Sequence, residues 1–146
     1  MKNKIQTIYP QSVFCSSTAP KLYIADFTER TDSERKVEFH ETVPQVPDGT
    51  ADMDCLVLEN SSQLSLVCNI FDDNQFKDSD GNDLSHCECL LFPESEKEDI
   101  SVAFVEIKDC KSKNISVYKE KVKAQIISTA QIFRDKGIIE GQRVYG

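Results

Sequence analysis

The sequence predicts an α+β fold, a mixed and mainly antiparallel sheet with one long C-terminal helix packed on it. Three observations carry that expectation. Leu64, Leu66, Cys68 and Ile70 alternate with period two, as residues on one face of a strand do. From about Ser116 the period changes, and Tyr118, Val122, Ile126, Thr129 and Phe133 fall at helical spacing. A length of 146 residues, 39% hydrophobic content and a mean hydropathy of -0.41 fit one globular domain with its own core. That domain covers residues 1–146, complete in itself or as the N-terminal part of a longer chain. It is strand-rich over 1–110 and helical over about 116–136.

The elements follow in order. "KLYIADFTE" alternates Leu22, Ile24 and Asp26 against Tyr23, Ala25 and Phe27, and "RTDSE" turns the chain into "RKVEFHETV", which together read as a hairpin. "VPQVPDGT" is a loop, with two prolines and Asp48-Gly49. "CLVLE" and "QLSLVCNIF" are strands separated by Asn60-Ser61-Ser62. A charged loop with "SDGND" precedes "HCECLLF", which Pro93 ends, and "ESEKED" leads to the strand "ISVAFVEIKDC". Val102, Phe104, Glu106 and Lys108 share one face of it; Ala103, Val105 and Ile107 share the other. Ser116 is the expected N-cap of the helix, Gly137 its stop after Arg134 and Lys136, and "QRVYG" a final strand.

Composition narrows the function. No apolar run approaches the roughly 20 residues that span a bilayer. The first twenty residues lack a secretory apolar region, which predicts a cytoplasmic protein. The six cysteines are then expected to be free and mostly buried rather than a disulfide framework. A net charge of -8 argues against a protein that coats nucleic acid by bulk attraction. The charge is uneven, however. Residues 72–99 carry a net of -8, whereas residues 108–123, with six lysines, carry +4.

That basic strip directly follows "VEIK", where an acid and a lysine interrupt an apolar strand. Glu88 opens the preceding strand, so pairing the two brings Glu88 and Glu106 toward one end of the sheet. Two carboxylates about 4 Å apart repel by roughly 4 kcal/mol at an effective dielectric near 20. A divalent cation removes that cost, and an all-oxygen set suits Mg²⁺ or Mn²⁺. Lys108 then stands ready to stabilise charge and orient a water. Lys111, Lys113 and Lys119 of the basic strip are expected to contact phosphates of DNA or RNA.

An acid on one strand, E-x-K on the next and a helix bearing a Gln together resemble the PD-(D/E)xK nuclease superfamily. The resemblance covers about residues 86–136, and "YKEKVKAQ" is similar to the helix motif of its RecB-like branch. It implies a restriction-endonuclease-like fold, with Glu88 and Glu106 holding Mg²⁺ or Mn²⁺ and Ile107 lending its carbonyl. It further implies that Lys108 assists the attacking water, and that Tyr118 and Gln125 help place nucleic acid. Two features depart from the pattern. Glu88 stands where Asp is commoner, and strands are read where the superfamily opens with an acid-bearing helix; Glu59 is the upstream acid nearest to that role.

Other readings compete. Glu106 and Lys108 also suit an ordinary surface pair on a sheet edge. The chain would then be a non-catalytic interaction domain docking to a protein partner, and even a small acidic nuclease would need such a partner or a further domain. "DSDGND" has calcium-loop oxygens but no distal Glu at the required spacing. His86, Cys87 and Cys89 lack the second pair that completes a zinc site. Neither His40 nor His86 has a visible Ser or Cys partner for nucleophilic catalysis.

Overall fold

Two antiparallel strand systems stack face to face, and two helices cover the outer face of the larger. The computed structural model describes residues 1–27, 37–45, 55–95, 100–107 and 115–146. In chain order these form α1 (Lys2–Ile8), β1 (Val13–Ser17), β2 (Lys21–Asp26), β3 (Val37–His40), β4 (Leu56–Glu59) and β5 (Leu66–Ile70). A 3-10 turn (Asp73–Gln75), β6 (Cys89–Pro93), β7 (Ser101–Val105), α2 (Ile115–Asp135) and β8 (Arg143–Tyr145) follow. The five-stranded sheet runs β1-β5-β6-β7-β8 and the three-stranded sheet β3-β2-β4. Every pairing is antiparallel except β7 with β8. A parallel pair needs a long crossover, and α2 supplies it.

The expected α+β class is therefore the observed one, and the hairpin pairs Tyr23 with His40 as β2 and β3. The larger sheet is buried on both faces. Val67, Leu90, Phe92, Val102 and Phe104 pack under Ile5 of α1 and Ala130 and Phe133 of α2. On the opposite face Cys68, Cys89, Leu91 and Val105 meet Ile24 and Val37 of the smaller sheet. This explains why β6 reads as an unbroken apolar run, "CLLF", rather than as an alternation. Asn60 ties the two sheets' connections together. Its amide donates to the carbonyls of Ala19 and Leu64, and its Oδ1 accepts from the Leu64 N–H.

Several boundaries differ from the sequence expectation. Helix α1 was not anticipated, because a seven-residue helix that buries only Ile5 leaves no repeating apolar signal. Strand β6 begins at Cys89 and β7 ends at Val105, so Glu88 and Glu106 lie just beyond the paired segments. The helix begins at Ile115, which puts Ser116 inside it rather than at its cap. Lys108, Lys111, Lys113, "RTDSE", "ESEKED" (beyond Glu94 and Ser95) and most of "VPQVPDGT" lie outside the described residues.

The C-terminal stop stands as expected. Gly137 has φ 66°, its N–H donates to the Arg134 carbonyl, and the Ile138 N–H reaches back to the Phe133 carbonyl. This is the Schellman arrangement, and the buried Ile138 and Phe133 supply its apolar contact. Alanine at Gly137 would meet only Glu140 Oε1 at 3.7 Å, so its cost is conformational rather than steric. Gly137→Ala should destabilise the fold by about 1 kcal/mol. Urea unfolding checks this, with Gly141→Ala as a comparison in open space; equal midpoints for the two variants would contradict it.

Candidate functional site

The end of the large sheet where α2 crosses it gathers the chemistry-bearing residues. Glu88 is 2% exposed. Its N–H donates to the Val105 carbonyl at 2.9 Å, and its own carbonyl accepts from the Phe71 N–H at 3.0 Å. The ladder itself pairs Val105 with Cys89. Two consecutive residues of one strand thus face one of the other, the count that defines a β-bulge. Opposed residues of an antiparallel pair stand about 5 Å apart. Glu106 follows Val105 directly, and both its carboxylate oxygens are shielded from solvent.

The segment leading into Glu88 is held by α2. The Cys87 N–H donates to Thr129 Oγ1 at 2.9 Å, and the Thr129 hydroxyl donates to the Gln125 carbonyl at 2.8 Å. Gln125 Nε2 donates to the His86 carbonyl at 2.9 Å. The His86 ring stacks on Phe76 with centroids 4.6 Å apart, and its Nδ1 lies 2.9 Å from the Cys87 carbonyl. A carbonyl can only accept, so that contact requires the proton on Nδ1. Burial pushes the Cys87 thiol up to about 12; the charges of Glu106 and Glu88 push it the same way, against a Thr129 hydrogen bond. Both carboxylates thus act on one buried sulfur.

Of the residues expected from sequence, Glu88 and Glu106 stand at the adjoining ends of β6 and β7. Gln125 joins the same region, but it is buried and its amide nitrogen is engaged by the His86 carbonyl. Its expected surface contact with nucleic acid is replaced, for that nitrogen, by a contact inside the fold. Tyr118 is half-buried on α2, two turns before Gln125, and Lys119 is exposed beside it. Ile107 is half-buried and packs toward the smaller sheet. Glu59 is excluded from the site, since it sits on β4 in the smaller sheet, 3.1 Å from Lys21 Nζ.

The competing ligand sets are not assembled. Cys87 belongs to the core under the helices and Cys89 to the core between the sheets, so the two cysteines of "HCEC" face opposite sides. Among the described residues no group of three His, Cys, Asp or Glu side chains is arranged to hold a metal. In "DSDGND", Asp78 accepts from the Asp80 and Asn82 N–H groups and from the Asn82 side chain, which also holds its carboxyl low. Its oxygens close their own turn.

From sequence Thr129 reads only as part of the helical stripe and His86 only as a zinc ligand or catalytic base, neither as a residue that holds this backbone. Their signal was present all the same: Gln125 and Thr129 are polar residues four apart on a stripe that otherwise turns apolar toward the core. The chain matches no protein-family model, no curated protein and no solved structure in the comparisons made.

The five described cysteines, Cys15, Cys55, Cys68, Cys87 and Cys89, are free thiols. In native protein, iodoacetamide should modify the half-buried Cys15 and Cys55 and spare Cys68, Cys87 and Cys89 until the chain unfolds. The Cys87 thiol rises from its ordinary 9.0 to about 12, so the stability linked to it is complete below pH 9. It is lost as the pH climbs from about 9 to about 12, because the unfolded thiol ionises first. Cys87→Ala should flatten that decline; rapid native labelling of Cys87, or an unchanged pH slope, would contradict the burial.

Proposed function

We propose that the chain is a metal-dependent nuclease, or the nuclease-like subunit of an assembly, acting on phosphodiester bonds of DNA or RNA. The observation that carries this reading is the adjacency of Glu88 and Glu106. They follow one another across the Glu88 N–H to Val105 carbonyl bond and are both withdrawn from water. Two carboxylates brought to one point there would favour a shared cation, and their oxygens would suit Mg²⁺ or Mn²⁺. Bound there, such an ion supplies Lewis-acid polarisation of a phosphoryl oxygen and acidifies an attacking water.

The order of parts supports the same reading. An acid stands at the head of β6, E-x-K at the tail of β7, and the helix that follows buries a Gln beside the first acid. One departure remains: α1 provides an opening helix, but its sequence, KNKIQTI, contains no acid. Glu88 and Glu106 are the metal-holding residues, with the Ile107 carbonyl as a further oxygen. Lys108 carries positive charge to the transition state and orients the water. The exposed Lys119, with Lys111 and Lys113, holds phosphates without reading bases. Because the chain is acidic overall, a protein partner or further domain completes the substrate grip.

The rival reading, a non-catalytic interaction domain, draws on edge strand β4. Leu56 and Val57 there are 38% and 46% exposed beside an edge with which no described strand pairs, a surface suited to strand addition.

Titration with Mn²⁺, followed by its paramagnetic resonance, separates the two. The wild type should bind, and Glu88→Gln and Glu106→Gln should each weaken binding at least tenfold without changing the fold. With Mg²⁺ or Mn²⁺ present, Lys108→Ala should lower the cleavage rate about 100-fold while leaving nucleic-acid binding intact. A wild type that neither takes up Mn²⁺ nor cuts DNA or RNA would overturn the proposal in favour of its rival.

A further inference from the structure

The backbone entering Glu88 is bonded at every polar group. Reading along the chain, the His86 carbonyl is taken by Gln125, the Cys87 N–H by Thr129 and the Cys87 carbonyl by His86 Nδ1. The Glu88 N–H goes to Val105 and the Glu88 carbonyl receives Phe71. Only the last two are sheet-like bonds. The first three come from side chains, at the point where regular pairing has stopped and a bulge leaves the backbone free to choose its angles.

Gln125 and Thr129 occupy the buried stripe of α2, where an apolar residue would pack against the sheet at no cost in lost hydration. The Thr129 hydroxyl and Gln125 Nε2 are tolerated there because they meet backbone groups that the bulge has left over. Thr129 does so with direction: its hydroxyl proton is committed to the Gln125 carbonyl one turn earlier, which turns a lone pair toward the Cys87 N–H. A Glu has one more rotatable bond than an Asp, so a fixed backbone matters more for aiming it.

We infer that Thr129 and Gln125 are positioning residues for Glu88, clamping the His86–Cys87 peptide and so fixing the backbone from which its carboxylate is aimed. The inference rests on the reading of Glu88 as a metal-holding residue. It assigns to α2 the task of holding the acid-bearing bulge from behind, through the backbone.

The test uses Thr129→Val, which keeps the shape and loses the acceptor, against Thr129→Ser, which keeps it. Gly137→Ala serves as a destabilised variant remote from the clamp. Mn²⁺ affinity is read by paramagnetic resonance well below the unfolding transition, together with amide exchange at Cys87 and Glu88. Thr129→Val should bind Mn²⁺ about tenfold more weakly than wild type and exchange the two amides faster. Thr129→Ser and Gly137→Ala should both bind like wild type. Wild-type affinity in Thr129→Val, or an equal loss in Gly137→Ala, would overturn the inference and leave the metal reading standing. A wild type without Mn²⁺ affinity would instead overturn the metal reading, and this inference with it.

Discussion

Helix α2 lies across the large sheet on one ring, and most of the architecture follows from that contact. Phe133 is fully buried, with its centroid 5.5 Å from those of Phe71 and Phe104, edge-on to the latter. Truncating such a residue costs about 3–5 kcal/mol, a large part of a small domain's stability. The Schellman turn at Gly137 then sends the chain back under the sheet's edge, burying Ile138 and Ile139 before β8 pairs with β7. With the C-terminal end of the helix anchored in this way, its stripe is carried over the ends of β6 and β7. Gln125 and Thr129 arrive there at His86 and Cys87 because they lie two turns and one turn before Phe133.

The same crossing creates an electrostatic problem at that end. Two acids stand at the adjoining ends of β6 and β7, Glu88 buried and Glu106 with both oxygens shielded from solvent. Charge removed from water must be balanced locally by protons, cations or hydrogen bonds. Both acids raise the Cys87 thiol, and the backbone that leads into Glu88 is bonded to α2 and to β7.

The second sheet plays a different part. It seals the opposite face through Ile24 and Val37, and the chain passes between the sheets at β1–β2 and β4–β5, where Asn60 bonds both connections. By covering Cys68, Cys89, Leu91 and Val105 it fixes the side of the sheet on which no helix can lie. The helices and the acid-bearing bulge are thereby set against the remaining face.

Much of this was legible in the chain alone. Period-two patterns marked β2, β5 and β7, the change to helical spacing marked α2, and a lone glycine after basic residues marked its end. That Glu88 and Glu106 stand at adjoining strand ends was legible, because one short connector joins the two strands. What lay beyond the sequence has a common cause. Helix α1 is stabilised by Ile5 entering a core built from distant residues, so its seven positions hold no pattern of their own. The bulge at Glu88 is an offset between two strands and belongs to neither sequence. The clamp joins His86 and Cys87 to residues 39 and 42 positions away, and hydrogen bonds at that separation exist only once Phe133 has seated the helix. Local periodicity determined the elements; long-range packing decided which polar groups meet, because those contacts depend on relative position in space and leave no spacing rule in the chain.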